Sequence, residues 1–342
     1  RVMHLIVARS AILRKRSSPL TRKPFVMNDF QNAGPITHRV RRSFFVCLLA
    51  ALTLVGLPGW SQEAGLHSRT IVPAARFIEV SGLEYDVVVV GQERADIEIS
   101  IYSEQPDRIE IGTLRDSLRI AVATMTERSG APRGSIELLI PHATAGTFQA
   151  ASGAVRITGV SGRVQAGSTS GAIAVRQATG ALEVRAASAT VDIRQSDASV
   201  VVDAAAGSVA VSSSSGEYRV SSGAGLQSYS SVQGRIRSRS SSGAVALEDF
   251  VGIISIATVS GDISGEAVLL SGNARFESVS GDIRIDLTNE ASELAFDSST
   301  VRGLVRIGDR EGRELRVGAG AIAVRSRTTS GTQRFRMGED GR

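Results

Sequence analysis

Every ninth residue from position 153 to position 261 is glycine or alanine. Glycine stands at Gly153, Gly162, Gly171, Gly180, Gly207, Gly216, Gly225, Gly234, Gly243, Gly252 and Gly261, and only Ala189 and Ala198 interrupt the series. With 35 glycines in 342 residues, chance does not build such a column. A short fixed period is the signature of a repeat architecture, in which one small unit is stacked many times. The chain is therefore first a scaffold, and any chemistry has to be found on its surface.

The residues between the glycines define the unit. Two positions after them runs an apolar column: Val155, Val164, Ile173, Leu182, Val191, Val200, Val209, Tyr218, Ile236, Val245, Ile254 and Ile263, broken only by Gln227. Four positions after them runs a second, including Ile157, Val175, Val184, Ile193, Val202, Val211, Val220, Tyr229, Leu247 and Ile256, with Ser238 and Gly265 as exceptions. The position between is mostly polar, as at Arg156, Gln165, Glu183, Asp192, Arg219, Arg237 and Ser255. This alternation is the period of a strand with one buried face, and β-branched residues suit it. Each glycine, often preceded by a hydroxyl (Ser152, Ser161, Ser170, Thr179, Ser215, Ser242, Ser260), is expected to supply a turn with positive φ. Seven positions on, the small or apolar residues Ala178, Ala187, Ala205, Val232 and Val259 are expected at a tight inner corner.

About nine residues thus make one strand and one turn. Parallel strands of an ordinary sheet need a crossover of a dozen or more residues, for which there is no room. Either the chain winds as a β-solenoid with equivalent strands stacked in parallel, or it folds as an antiparallel meander; the uniform columns favour stacking. The serine pattern fits an 18-residue coil and a three-sided, 27-residue coil alike.

Charge is concentrated at the N-terminus. Of 39 basic and 34 acidic residues, ten and one fall in residues 1–42, which leaves 29 and 33 for the remainder. The net charge of +5 becomes −4 without that segment, so a nucleic-acid partner is not expected. Arg39, Arg41 and Arg42 precede an uncharged run from Phe44 to Leu57 and a small-x-small site at Gly59-Trp60-Ser61. Residues 27–61 therefore read as a signal peptide, of the general secretory kind in preference to the twin-arginine kind. The apolar run is too short for a transmembrane helix, and no membrane anchor is expected after cleavage. Residues 1–26 read as an upstream segment before a start at Met27. Cys47, the only cysteine, lies in the apolar run, so the exported chain has no thiol for a disulfide or for catalysis.

Residues 62–75 read as a linker. Residues 76–145 read as a β-rich N-terminal cap, with strands at 77–80, 85–90, 97–101, 118–122 and 136–140, because an uncapped stack leaves an open edge. Residues 146–336 read as the repeats, with a slip of two at Gly272 and resumption at Gly281, and 337–342 as a frayed tail.

The Ser-Gly-Asp-Ile units at Ser260–Ile263 and Ser280–Ile283, the looser Ser-Gly-x-hydrophobic units, and the strand ending Leu139-Ile140-Pro141 resemble the bacterial putative adhesin family. This family is a domain of unknown function related to auto-transporter adhesin head domains. The resemblance covers roughly residues 75–335. It implies an all-β fold, a right-handed parallel β-helix in the cell envelope, and it carries no catalytic residues to transfer. The many Ser-Gly-Ala units depart from the family pattern and weaken any role for an aspartate ladder.

Candidate chemistry is sparse. Calcium β-rolls use similar nonapeptides, but a second glycine is missing and Asp occupies the strand position once, at Asp192; Asp262 and Asp282 read as turn residues. His67 and His142 are isolated and read as surface residues. Glu183 and Asp192, nine apart, fall on different faces and do not make a catalytic pair. Arg176, Arg185 and Arg194 share one repeat position. In an 18-residue coil Arg176 and Arg194 stack, making a basic spot for an anionic sugar or lipid headgroup, whereas a solvated polar edge is the plainer reading. The serine-rich stretch 212–242 follows from turn chemistry, and Tyr218 and Tyr229 point inward, so no aromatic platform for sugars is expected. No cofactor or metal is expected. The leading expectation is an exported, non-catalytic adhesin or envelope-structural module that binds a cell-surface glycan or another envelope component. A periplasmic envelope-stress or signalling module and a β-helix carbohydrate enzyme are the alternatives; oligomeric state is left open.

Overall fold

The structure, a computed structural model, describes residues 66–123 and 134–338. The residues read as a signal peptide and as an upstream segment, with Cys47, and the end of the tail lie outside the described residues. Among the described residues seven strands precede the repeats: β1 (Leu66–Pro73), β2 (Phe77–Ser81), β3 (Asp86–Gln92), β4 (Asp96–Ser103), β5 (Ile109–Leu114), β6 (Ser117–Val122) and β7 (Gly134–Pro141). The repeats run through β8 (Ala145–Ala150), β9 (Val155–Thr158), β10 (Arg163–Ser168), β11 (Ile173–Arg176), β12 (Thr179–Ala186), β13 (Val191–Arg194), β14 (Asp197–Ala204), β15 (Val209–Ser222), β16 (Gln227–Ser240) and β17 (Val245–Thr258). Nine strands follow: β18 (Ile263–Leu270), β19 (Ala274–Ser278), β20 (Ile283–Leu287), β21 (Leu294–Thr300), β22 (Val305–Ile307), β23 (Arg310–Gly312), β24 (Glu314–Val317), β25 (Ile322–Thr328) and β26 (Gln333–Arg336). The five strands expected before the repeats are present. Two were not expected: β5, and β1, which occupies the stretch read as a linker.

The strands form one long, open, mostly parallel sheet. In the repeats each strand pairs with the one 18 residues on, as in Val164↔Leu182, Leu182↔Val200 and Ile173↔Val191. Two rows result. One contains β8, β10, β12, β14 and the C-terminal halves of β15 to β17; the other contains β9, β11, β13 and their N-terminal halves. The expected slip also appears, because Ser255 pairs with Arg275 and Ile263 with Ile283, 20 residues away.

Both apolar columns are buried in both rows and join one hydrophobic cluster. Each fully buried Val or Ile contributes about 1.5–3 kcal/mol, so the stack is stabilised by repetition. Gln227, the break in the first column, is fully buried too. Its amide donates to the Arg239 carbonyl at 2.9 Å, and its oxygen accepts from Tyr229 at 3.1 Å and Ser238 at 2.6 Å. The polar exceptions in the two columns, Gln227 and Ser238, thus satisfy one another, as buried polar groups must.

The two corners differ, which corrects two expectations. Positive φ falls on Gly180, Gly216, Gly234 and Gly252, as expected, and also on the non-glycines Gln177, Gln195, Ser213, Ser231, Asp249 and Ala267, but not on Gly153, Gly171, Gly207, Gly225, Gly243 and Gly261 at the other corner. There a glycine is needed for close approach: a Cβ on Gly225 would lie 1.9 Å from the Gly207 carbonyl oxygen, which belongs to the layer below. The inner-corner assignment holds for Ala178 and Val232, which are buried, and fails for Ala187, Ala205 and Val259, which are exposed. A nine-residue period cannot distinguish two corners that alternate every nine residues in an 18-residue register.

At the ends the chain order inverts. The layer β2–β3 lies between β8–β9 and the outer layer β6–β7. Likewise the last layer, β25–β26, inserts between β19–β20 and the outer layer β21–β22. Antiparallel strands then cover the outer edges: β5 on β6, β4 on β7, β24 on β21 and β23 on β22.

Candidate ligand-binding surface

The outward positions of each row align as columns of side chains about 4.8 Å apart. Arg176 and Arg194 face the same way on β11 and β13 as register partners, so the two stack. Their roles differ, however. Arg194 donates to Asp192 at 2.8 Å, which raises its pKa further above the ordinary arginine value, whereas Arg176 has no ion-pair partner among the described residues. Arg185 is in the other row and pairs with Glu183. The three arginines therefore make a pair and a distant third, and the sequence spacing that suggested them is divided between two faces.

Along the first row's edge runs a shallow groove of about 960 Å³. Its floor is made of corner residues such as Ser168, Ala186, Ala204, Ala205, Ser222 and Gly223. Side chains on its rim include Gln149, Arg185, Asp203 and Arg239. It extends over the strands from β8 to β17, about 29 Å at 4.8 Å per strand. Small residues at every layer leave this edge low, which gives room for an extended chain to lie along the stack. Ala187, Ala205 and Val259, which also line it, were expected at inner corners, so the groove was not legible in the sequence.

The aspartates of the Ser-Gly-Asp units act on backbone. Asp262 accepts the Asp282 N–H at 2.8 Å, and Asp282 accepts the Thr332 N–H at 2.8 Å. Each carboxylate satisfies the donor at the equivalent corner of the next layer, which agrees with reading them as turn residues. The preceding hydroxyls serve the opposite direction: Ser242 donates to the Gly223 carbonyl at 3.3 Å and Ser260 to that of Ser241 at 3.3 Å, both in the layer below. Glu183 and Asp192 lie in different rows. His142 contacts the Gly159 carbonyl through Nδ1, and His67 is an exposed residue of β1. Among the described residues no group of three or more His, Cys, Asp or Glu is placed to hold a metal, and no helix is long and apolar enough to cross a membrane.

Tyr218 and Tyr229 are buried, as their columns require. Burial pushes the Tyr218 phenol up to about 12, and its hydroxyl donates to the Ser215 carbonyl at 2.9 Å. Burial also raises Tyr229.

The Toastrack DUF4097 family matches residues 78–323, more than half of the chain. The chain belongs to that family. The match begins in β2 and stops at the start of β25, so it covers the inverted N-terminal layer β2–β3 and the regular middle of this Toastrack chain but ends before β26. No curated protein sequence matches it. Among solved structures it is similar to a putative adhesin from Parabacteroides distasonis, at 14% identity and a TM-score of 0.40, over 78% of this chain and 96% of that one. A putative lipid binding protein from the same species gives 14% identity and a TM-score of 0.40, over 80% and 98%. A putative adhesin from Bacteroides fragilis gives 11% identity and a TM-score of 0.31, over 79% and 97%. The resemblance read from the Ser-Gly-Asp-Ile units is thus borne out at the level of the family.

Proposed function

We infer that this Toastrack chain is a non-catalytic binding or structural module of the cell envelope, a right-handed β-solenoid of 18-residue coils that presents a long, regular surface. The observation that carries this reading is the closed stack. Its outward columns repeat from layer to layer, while covered edges at both ends keep it from growing by addition of further copies. Such a body offers many equivalent contacts along one axis, which suits adhesion to an extended surface component such as a glycan. The names of the similar solved structures, adhesins and a lipid binding protein, are in keeping with a surface role. The basic, then apolar N-terminal segment supports export.

Protease treatment of intact cells, followed by fractionation and an antibody to residues 150–290, tests the reading. Digestion on intact cells is expected for an adhesin. Protection until the outer envelope is opened would favour the periplasmic module. Recovery in the cytoplasm would overturn export altogether.

A further inference from the structure

A second concavity lies where the repeat slips. Ser271, Gly272 and Asn273 fall between Gly252↔Leu270, paired at 18, and Ser255↔Arg275, paired at 20. Beside this insertion is a cleft of about 260 Å³, with Arg235 and Arg237 on one wall, Arg275 and Arg325 on the other, and Ile253 and Ser255 between. None of its eleven lining residues is acidic.

Register makes the arginines a ladder. Arg219 pairs with Arg237, Arg237 with Ser255, Ser255 with Arg275 and Arg275 with Arg325, all in one outward column. Glu217 holds Arg219 at 2.9 Å and Arg237 at 3.0 Å, and Glu277 holds Arg275 at 2.5 Å, all from outside the cleft. Arg235 and Arg325 have no ion-pair partner among the described residues. Asp297, next in the column after Arg325, pairs instead with Arg316 at 3.6 Å.

Asn273 supplies an independent indication. Its oxygen accepts the Ala323 N–H at 2.9 Å, the corner role that aspartate fills at Asp86, Asp262 and Asp282. Here the carboxylate is replaced by an amide, which keeps the acceptor, removes the negative charge and leaves an NH2 donor beside the arginines.

We propose that this cleft binds a linear acidic polysaccharide, with its carboxylate, sulfate or phosphate groups on the arginine ladder. Acidic groups recurring at one or two strand spacings, about 5 or 10 Å, meet successive guanidiniums, whose planar fork binds paired oxygens of such groups bidentately. Ile253 gives a half-buried apolar floor for the face of a sugar ring, and Ser255 and Asn273 give hydrogen bonds to hydroxyls. This rests on the reading of the chain as a binding module and names its ligand class.

The test is calorimetric titration of the full chain with hexagalacturonate, with neutral maltohexaose and with phosphatidylglycerol vesicles, at low and high salt. Hexagalacturonate is expected to bind at low salt and maltohexaose not to. The pair R235Q and R325Q together should weaken binding about tenfold or more, that is about 1.4 kcal/mol or more, with an unchanged melting temperature. Asn273→Asp, which retains the backbone acceptor, should weaken it in the same direction. R176Q with R194Q, on the other row, should change it less than about twofold. Equal losses in both arginine pairs, no loss in R235Q/R325Q, or binding of vesicles without binding of hexagalacturonate would overturn the proposal. The cell-shaving result is independent of all these outcomes, so the surface reading and the ligand class fail separately.

Discussion

The middle of the stack and its two ends are built from the same strands by opposite rules. From β10 to β17 each layer rests on its predecessor in the chain, at a constant register. At both ends the terminal layer is tucked one place inward, and the layer outside it is covered by antiparallel strands. The middle can propagate because every layer offers the next the same edge. The ends must stop that propagation, since an open parallel edge is a template for further pairing. Tucking the last layer inward also means that neither terminal layer can peel away without opening a partner on each side.

The strongest way to break this comparison is to remove residues 320–342, which deletes β25 and β26. The outer layer β21–β22 then loses its support and the edge of β19–β20 is uncovered. Self-association into large species on size-exclusion chromatography is expected, and a monodisperse truncated chain would show that the insertion does not protect the end. Within the middle, Val191→Asp places an unpaired charge in a position only 1% exposed. It should destabilise by more than about 3 kcal/mol and unfold or aggregate the protein; an unchanged melting temperature would sink the inward assignment.

Two glycines sharpen the contrast further. Gly225→Ala must push apart two layers and should cost about 1–3 kcal/mol, whereas a Cβ on Gly112, in the edge strand β5, meets nothing within 4 Å. Gly112→Ala should therefore be within about 0.5 kcal/mol of wild type in the same denaturant titration. Gln227→Val repairs the apolar pattern but leaves the hydroxyls of Tyr229 and Ser238 without their shared acceptor. A loss of about 1–3 kcal/mol is expected, and a gain would mean that the buried network is dispensable.

The smallest effect is alkaline. Tyr218 has a folded pKa raised above its unfolded value of 10, to about 12. The folded state holds the proton more tightly, so this contribution is complete below pH 10 and is lost as pH rises through about 12. Tyr218→Phe should flatten the fall in melting temperature over that window, and an identical slope would assign the fall to other groups.

Much of the fold was legible because its pattern is local. The alternation around Ile173 and Val175, or Ile254 and Ile256, needs only the strand's own period of two to declare its buried face, and all these residues are buried. The slip at Gly272 was legible for the same reason, as a break in spacing. Less could be read about the surface. Arg176 and Arg194 were found because they share a repeat position, but Arg237, Ser255, Arg275 and Arg325 come together only through an insertion and a strand that returns from 50 residues further on.

What the sequence by itself determined is therefore the unit: a strand, a turn, an inner column and a small residue where layers touch. Only the tertiary structure decided which layer rests on which. Layers of nearly identical shape and hydrogen-bonding edge carry no local signal of their order, and ladder bonds can form between any two of them. At Asp286↔Arg336 and Glu277↔Arg327 the chain joins residues separated by 50 positions. That choice is made by how the ends are closed, and with it the shape and charge of the outer surface.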